Sequence, residues 1–203
     1  MSKYIDRSGE GERLFLRCAD EVAPQPWRNG GGCTRELLAW PVGSDWRLRL
    51  SIADIDADGP FSAFPGVQRW FAVNQGAGVV LSLLGGEVRL DTSSEPVCFD
   101  GAQAPACSLV DGPTRDLNLM LGGGTRGCLL RARSDVSWSE GWPWRACFTT
   151  GAARWQDEEG HVVELGPNTL LGGLGKLACR LAARDPSAPI FWIGADLRAG
   201  VAG

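Results

Sequence analysis

The sequence contains a single histidine, His161, among its 203 residues. Non-haem iron and zinc sites are typically built from two or three imidazoles, and Ser-His-Asp or Cys-His sites need one beside the nucleophile. One histidine cannot supply a multi-histidine metal site. It also follows the polar run Asp157–Gly160, which is typical of an exposed turn. We therefore expect no bound metal ion and no cofactor.

Other signals are also scarce. The segment from Met1 to Arg7 has no apolar stretch resembling a signal peptide, and no run approaches the roughly 20 apolar residues of a membrane helix. The seven cysteines include no C-x-x-C pair, and the net charge of −4 with scattered arginines offers no basic surface for nucleic acid. We expect a cytoplasmic protein that binds neither nucleic acid nor a membrane, and cysteines that act as small buried hydrophobic residues.

Alternation of apolar and polar residues is what the sequence has in abundance, and it predicts β-strands. Glycine- and proline-rich turns separate these segments, which indicates an all-β sandwich or barrel with at most one short helix, near Arg180–Arg184. The length fits one large domain or two fused small ones. The predicted strands are 13–18, 34–40, 46–53, 69–74, 78–84, 87–91, 107–110, 115–121, 126–132, 146–150, 162–165, 177–182 and 190–193.

The clearest alternation lies in residues 46–53, WRLRLSIA. Its apolar side chains fall on one face, and Arg47, Arg49 and Ser51 fall on the other. On the outside of a sheet this polar face would be ordinary solvated surface. Inside a small barrel, buried arginines would require an anionic partner.

The stretch PWRNGGGCTREL, residues 26–37, surrounds three consecutive glycines with polar side chains. A phosphate loop is disfavoured, because the glycines lead into no clear helix and no lysine follows them. The remaining interpretations are a tight turn or a backbone that leaves room for a ligand. Arginine forks and amides suit a small carboxylate, which makes the polar residues of this stretch candidates for binding one.

Two further segments offer candidate pocket residues. The loop Asp58–Gly66 is rich in proline, glycine and phenylalanine, and Ser62 is its one plausible ligand contact. In the predicted strand 115–121, Asp116, Asn118 and Met120 share one face, which suits a pocket wall.

Taken in order, PWRNGGGCTREL (26–37), LRLSIADIDADGPFSAFPGVQRW (48–70) and FDGAQAPACSLVDGPTRDLNLM (99–120) resemble the HutD/Ves family of bacterial cupin-like proteins. The similarity covers about 25–120 and is weaker beyond. Besides the candidate site residues, the sequence motifs of the family also match Trp27, Gly30–Gly32, Gly59, Pro60, Phe61, Phe64 and Arg69.

This resemblance implies an all-β bicupin, in which two β-barrel halves of the double-stranded β-helix or jelly-roll type make up a single unit over 1–203. It implies a cytoplasmic protein, often a homodimer, without established catalytic activity, and links to histidine utilisation or to stress responses. Together with the polar residues it predicts a metal-free regulator or metabolite sensor that binds a small carboxylate resembling formylglutamate. The expected ligand-binding residues are Arg28, Asn29, Thr34, Glu36, Arg49, Ser51, Ser62, Asp116, Asn118 and Met120, with Arg49 pairing the carboxylate.

Two alternatives remain open at this point. One is a metal-independent isomerase or epimerase acting on a small anionic metabolite, with Glu36, Asp54 or Asp116 as general base. The other is a protein-interaction module whose surface is the tryptophan-rich segment 138–144. An exposed aromatic patch in that segment would favour the second alternative.

Overall fold

A computed structural model of the chain describes residues 3–6 and 13–197. Within these residues the regular elements are β-strands and two short 3-10 helices, Ala19–Glu21 and Gly101–Gln103. The first ten strands are β1 (Lys3–Asp6), β2 (Arg13–Cys18), β3 (Gln25–Pro26), β4 (Gly32–Trp40), β5 (Leu48–Ile55), β6 (Gly59–Pro60), β7 (Gln68–Gln75), β8 (Val79–Leu83), β9 (Gly86–Leu90) and β10 (Val97–Asp100). The next ten are β11 (Ala106–Leu109), β12 (Thr114–Leu121), β13 (Gly127–Arg131), β14 (Ser137–Trp138), β15 (Trp144–Thr149), β16 (Ala153–Asp157), β17 (Val162–Leu165), β18 (Thr169–Gly172), β19 (Cys179–Ala183) and β20 (Ile190–Ala195). None of the helices in the described residues is long or apolar enough to cross a bilayer.

The chain divides into two compact units: the central unit, residues 22–125, and the flanking unit, residues 1–21 with 126–203. In the central unit, the described strands form a six-stranded sheet in the order β10-β7-β12-β5-β4-β3 and a four-stranded sheet in the order β6-β11-β8-β9. The flanking unit has the same division among its described strands, with the orders β1-β2-β18-β15-β20-β13 and β14-β19-β16-β17. The pairing within the sheets is antiparallel, as hairpin and crossover connections between short strands allow.

Register in the six-stranded sheet of the central unit determines which side chains share a face. Residues directly opposite each other on antiparallel strands project to the same side, so β7, β12 and β5 form rows of neighbouring side chains. The three rows are Arg69–Met120–Arg49, Phe71–Asn118–Ser51 and Val73–Asp116–Ala53. This arrangement gathers three separate sequence segments onto one surface.

Each unit has its own hydrophobic core built from both of its sheets. In the central unit, Phe71 of the larger sheet packs in one cluster with Val79, Leu81 and Cys107 of the smaller sheet. In the flanking unit, Trp192 of the larger sheet joins a cluster that includes residues of β14, β16, β17 and β19. Burial of such side chains at about 25 cal/mol per Å² is the main stabilising contribution in sheets of this kind.

Several sequence-based predictions of local structure need correction. The short helix expected near Arg180–Arg184 is wrong, because this segment belongs to strand β19, which pairs with β16. Leu181 is fully buried between the exposed Arg180 and the half-buried Ala182, so two-residue alternation overrides the helical propensity of the leucine and alanines. Strands β10, β16 and β18 were absent from the prediction.

The cysteines also differ from expectation. Within residues 13–197 all seven are free thiols, and four of them are buried as predicted. Cys98 is exposed, and Cys18 and Cys33 are half-buried, so the prediction of uniformly buried cysteines is wrong for these three. The reason is positional: Cys98 lies on the edge strand β10, which pairs only with β7 in its sheet.

Candidate functional site

The central unit contains a cavity of about 470 Å³, a size in the range of small-molecule sites. Eight of the ten residues predicted to bind a ligand line it. They are Arg28, Asn29, Thr34, Arg49, Ser51, Ser62, Asn118 and Met120. The other lining residues are Gln25, Pro26, Trp27, Ala53, Pro60, Phe61, Phe64 and Arg69. The cavity therefore unites the glycine-containing turn, the polar face of β5, the loop after β6 and the strands β7 and β12.

Arg69, which the sequence analysis did not single out as a ligand-binding residue, is the buried cation of this cavity. Only 6% of its surface is exposed. Its Nη2 donates to Oδ1 of Asn118 at 3.1 Å and its Nη1 to the carbonyl of Ser62 at 3.4 Å, while its buried Nε has no hydrogen-bond partner among the described residues. Burial, together with the charge of Arg49, lowers the pKa of Arg69 to about 10, so the side chain remains charged near neutral pH.

Aromatic rings surround the Arg69 guanidinium. Its central carbon lies 4.9 Å from the ring centroid of Phe61, 5.7 Å from that of Phe64 and 5.2 Å from that of Phe99. These rings supply cation–π attraction, which partly replaces lost hydration. The sequence signal that could have identified Arg69 is its place at the end of the family motif that spans the loop after β6; the structure adds that it lies directly opposite Met120 on the same sheet face.

Arg49 is in a different electrostatic state from Arg69. Its Nε lies 2.7 Å from Oε2 of Glu36, and both side chains are partly exposed. Glu36 itself does not line the cavity, so it approaches the site only through this ion pair. Arg49 consequently presents to the cavity a charge that is already partly balanced.

Ser51 and Asn118 form the floor between the two arginines. They are directly opposite each other on β5 and β12, and both are nearly fully buried. Because an arginine can only donate, the Asn118 atom facing Arg69 must be its amide oxygen, and the amide nitrogen keeps its two donor hydrogens. The floor therefore offers hydrogen-bond donors to a bound molecule.

The glycine triplet is a turn between β3 and β4. The amide of Gly30 donates to the carbonyl of Trp27 at 3.0 Å, and the amide of Gly31 donates to Oδ1 of Asn29 at 3.1 Å. A Cβ atom added to Gly32 would lie 2.2 Å from the carbonyl oxygen of Asp54, so only glycine permits this approach to β5. Two of the three amides are thus used within the turn, in agreement with the interpretation that this is not a phosphate loop.

The turn also places Trp27 and Thr34 at the cavity wall. Nε1 of Trp27 donates to Oγ1 of Thr34 at 2.8 Å across the β3–β4 hairpin. On the opposite side, the loop after β6 is fixed by Gly101, which exchanges backbone hydrogen bonds of 2.8 Å with Phe64 and with Val67. These contacts hold the side chains of Phe64 and Ser62 at the cavity.

The three carboxylates considered as general bases lie outside the described cavity lining. Glu36 is paired with Arg49. Asp54 accepts from Arg115 at 2.7 Å, Arg35 at 3.2 Å and the Cys33 thiol at 3.3 Å. Burial acts to raise the pKa of Asp54, but these hydrogen bonds outweigh it and hold the pKa below its usual range.

Asp116 is the predicted binding residue that the structure places deepest. It shares the sheet face of Asn118 but lies one row further along, opposite Ala53, and it is fully buried. Its Oδ2 accepts from Oγ1 of Thr114 at 2.8 Å, and its buried Oδ1 has no hydrogen-bond partner in the part of the chain that the structure describes. Burial raises the pKa of Asp116 well above its usual range, and the nearby Asp54 adds to this effect.

Cys33 gives no indication of a nucleophile. Burial raises the pKa of its thiol, and the hydrogen bond to Asp54 and the charge of that carboxylate raise it further. A nucleophilic cysteine needs the opposite shift, towards the thiolate.

The tryptophan-rich segment 138–144 is not an exposed aromatic patch. Trp138 and Trp144 are each only 6% exposed, and Trp138 stacks on Trp192 with ring centroids 4.8 Å apart. Trp142 is half-buried, and its Nε1 donates to Glu140 at 2.8 Å. The observation that would have favoured an interaction module is therefore missing from this segment.

His161 lies in the flanking unit in a turn with two acidic residues. Its Nδ1 is 3.0 Å from Oδ2 of Asp157 and 3.7 Å from Oε2 of Glu159. The other oxygen of Asp157 accepts the backbone amides of Glu159 and His161, so this carboxylate organises the turn. The three side chains lie close enough together to approach one metal ion, and the hydrogen bond between His161 and Asp157 and the backbone amides bound to Asp157 account for the turn without one.

Comparison with known proteins shows similarity over the part of the chain that contains the cavity. A family model described as HutD matches residues 19–178. A Pseudomonas putida protein, described as an uncharacterized 21.2 kDa protein in the hutC 3' region, is 35% identical over 133 residues, which are 64% of this chain and 66% of that protein. Protein Ves of Citrobacter koseri is 36% identical over 96 residues, 46% of this chain and 50% of its own length. The chain thus spans about half to two thirds of the curated relatives it matches.

Solved structures extend the similarity over nearly the whole chain. HutD from Pseudomonas fluorescens, in a formate condition, has a TM-score of 0.76 and 28% identity, covering 92% of this chain and 100% of that one. A protein of unknown function from Pseudomonas aeruginosa has a TM-score of 0.79 and 27% identity, covering 91% and 99%. A mutant oxalate decarboxylase of Bacillus subtilis, at 8% identity and a TM-score of 0.57, covers 92% and 78%. This more distant likeness shows the fold alone, which is all-β and cupin-like.

Proposed function

This chain belongs to the HutD family, and from that premise we propose that its central unit binds a small carboxylate of the formylglutamate type and serves as a metabolite sensor or regulator. The site is the cavity between the glycine turn, the polar face of β5 and strand β12. Each unit would then be one half of a bicupin, with its six-stranded and four-stranded sheets. The cytoplasmic location and the homodimer remain predictions.

The observation that carries this proposal is the state of Arg69. A cation so deeply buried costs several kcal/mol of desolvation, which a buried carboxylate partner normally offsets. Among the described residues, its polar contacts are instead one amide oxygen and one long carbonyl contact. A carboxylate in the cavity would supply the missing charge and could accept a hydrogen bond from the unpartnered Nε.

The rest of the cavity lining supports the same chemistry. Its charged side chains, within the part of the chain that the structure describes, are Arg28, Arg49 and Arg69. Arg28 is exposed, Arg49 is partly exposed and Arg69 is buried, so positive charge extends from solvent to the cavity floor. Such a gradient attracts anions and guides them inward.

The names of the relatives suggest a metabolic context for the proposed function. One is described by its place beside hutC, and a structural neighbour is HutD in a formate condition. These descriptions support a link to histidine utilisation. The isomerase alternative receives no such support, because its three candidate bases lie outside the described cavity lining.

Titration calorimetry with N-formyl-L-glutamate and with glutarate tests the proposal. We expect Arg69→Met to weaken binding about 100-fold or more, since a buried charge partner is removed. Arg49→Ala should weaken it about tenfold, because this cation is partly exposed and already paired. The matched control is Arg89→Ala, which removes an exposed arginine of the same unit that does not line the cavity. Binding by Arg69→Met and Arg49→Ala that equals wild type would show that the carboxylate site is wrongly assigned.

A further inference from the structure

We propose that this cavity selects anions that carry no ammonium group, such as N-acylated amino acids and plain dicarboxylates, and rejects the corresponding free amino acids. The inference rests on the proposed carboxylate site and specifies the class of molecule that the site accepts. It concerns the group that a ligand carries in addition to its carboxylate, namely a free amine, an N-acyl group or neither.

The first argument is the position of the two inner arginines. Arg69 and Arg49 lie on either side of Met120 in one row of the sheet and on the same face. Strands are about 4.8 Å apart, so the two backbones are separated by about 10 Å, and long side chains close most of that distance. The charge of Arg49 is felt at Arg69, where it lowers the pKa. An ammonium group placed on the floor between them would meet the charge of Arg69 and the partly balanced charge of Arg49.

The second argument is that three of the acceptors around this floor are already engaged. Oδ1 of Asn118 and the carbonyl of Ser62 accept from Arg69, and Oε2 of Glu36 accepts from Arg49. A protonated amine has three hydrogens to donate, and beyond these engaged groups the floor offers it the single hydroxyl oxygen of Ser51. An N-formyl or N-acetyl group carries a carbonyl oxygen instead and can accept from the Asn118 amide or from Ser51.

The third argument concerns the aromatic rings, the alternative means of holding an ammonium group. Quaternary and primary ammonium groups are often held over ring faces. Here Phe61 and Phe64 are already occupied by the Arg69 guanidinium, at 4.9 and 5.7 Å from their centroids. A second cation over the same rings would be repelled by the first. Phe61 and Phe64 therefore do not offset the repulsion of an amine, which leaves Trp27 as the other aromatic ring among the described lining residues.

Calorimetry of the wild-type chain with three compounds that share a five-carbon dicarboxylate backbone gives the direct test. The compounds are N-formyl-L-glutamate, glutarate and L-glutamate, measured at neutral pH. We expect L-glutamate to bind about tenfold more weakly, or worse, than the other two, because repulsion between like charges a few ångströms apart is large at the low dielectric of a cavity. Equal affinities for L-glutamate and N-formyl-L-glutamate would overturn the inference and leave the carboxylate site intact.

A substitution that adds an acceptor at the floor provides the second test. Asn118→Asp places a carboxylate beside Arg69 with almost no change in shape, and Ser51→Asp does so from the neighbouring strand. Both variants should bind N-formyl-L-glutamate more weakly than wild type and should prefer it less strongly over L-glutamate. Arg89→Ala should leave this preference unchanged. An unaltered preference in both floor variants would contradict the inference.

The two proposals fail in distinguishable ways. If glutarate, N-formyl-L-glutamate and L-glutamate all fail to bind the wild-type chain, the carboxylate site itself is wrong and the selectivity falls with it. If dicarboxylates bind and L-glutamate binds as well as they do, only the selectivity is wrong.

Discussion

The central and flanking units share the same arrangement of described strands but differ in how the space between their sheets is filled. Each has a six-stranded and a four-stranded sheet. The flanking unit fills the space between its sheets with indoles: Trp155 is fully buried, and Trp138 stacks on Trp192. At the cavity of the central unit, β5 carries the small residues Ser51 and Ala53, which leave a space of about 470 Å³. Side-chain volume therefore decides whether this architecture contains a solid core or a cavity.

The same contrast appears in the two buried arginines. In the flanking unit, Arg145 is 1% exposed and donates to the carbonyls of Trp138, Gly175 and Leu177 and to the Cys179 sulfur. Its guanidinium also lies 4.4 Å from the Trp138 ring centroid. Arg69 of the central unit donates two hydrogen bonds to described residues, at 3.1 and 3.4 Å, and borders a cavity. A buried arginine surrounded by carbonyls holds the fold together, whereas one facing a cavity is suited to an anion.

Truncating one tryptophan in each unit is the strongest way to test the difference in packing. Trp155→Ala should lower the free energy of unfolding by about 3–5 kcal/mol, because it creates a large cavity in a filled core. Trp27→Ala should cost only about 1–2 kcal/mol, since that indole is half-buried at an existing cavity. Urea unfolding of the ligand-free chain measures both. Equal losses would show that the two interiors are packed alike.

Replacing each buried arginine by methionine tests the contrast in hydrogen bonding. Arg145→Met should cost about 3 kcal/mol or more, since it leaves several buried carbonyls without donors. Arg69→Met should change stability by less than about 1 kcal/mol, or increase it, because the desolvation of an unbalanced charge is removed. The measurement is again urea unfolding without ligand. A large loss for Arg69→Met would mean that this side chain supports the fold rather than a site.

Asp116 gives the smallest effect, and one that depends on pH. Its pKa is raised in the folded state, so the stability linked to its proton is fully present below the ordinary pKa of about 4 and is lost as pH rises through the folded value. Asp116→Asn removes this dependence. We expect the variant to melt at a higher temperature than wild type at pH 8, with the difference shrinking towards pH 4.

Calorimetric melting curves at both pH values check this expectation, with Asp91→Asn as the control. Asp91 is a half-buried aspartate of the same unit whose pKa is lowered by hydrogen bonds from Ser93 and Ser94, so its effect should have the opposite sign. A constant difference across the pH range would show that Asp116 is not buried in its protonated form.

Strand positions followed from local pattern where the alternation is long, but not at β16, whose five residues also have one buried face. Residues 46–53 alternate in the sequence, and β5 spans Leu48–Ile55 with Leu48, Leu50 and Ile52 fully buried. At β19 the sequence signals conflicted: the strand predicted at 177–182 is confirmed, whereas the short helix expected near Arg180–Arg184 is wrong because pairing with β16 imposes a strand. Local propensity is a weak contribution compared with the hydrogen bonds and packing of a completed sheet.

Within the site, residue type could be predicted but electrostatic state could not. The polar face of β5 was a candidate surface from the sequence, and Arg49 and Ser51 do line the cavity. The choice of Arg49 as the principal cation overlooked Glu36, whose side chain lies on the adjacent strand β4 and pairs with it. Asp116 and Asn118 lie two residues apart on the same strand face and look equivalent in the sequence. Asp116 is nevertheless fully buried away from the cavity, whereas Asn118 lines it.

The amino-acid sequence by itself determined the all-β class, the family and the glycine turn, because each of these depends on neighbours within about ten residues or on a contiguous word. The tertiary structure decided which face of β5 borders a cavity, which arginine lacks a carboxylate partner and why Gly32 must be glycine. Those properties arise where strands from 32, 49, 69 and 118 are brought side by side, and the strength of a charge depends on what surrounds it in space.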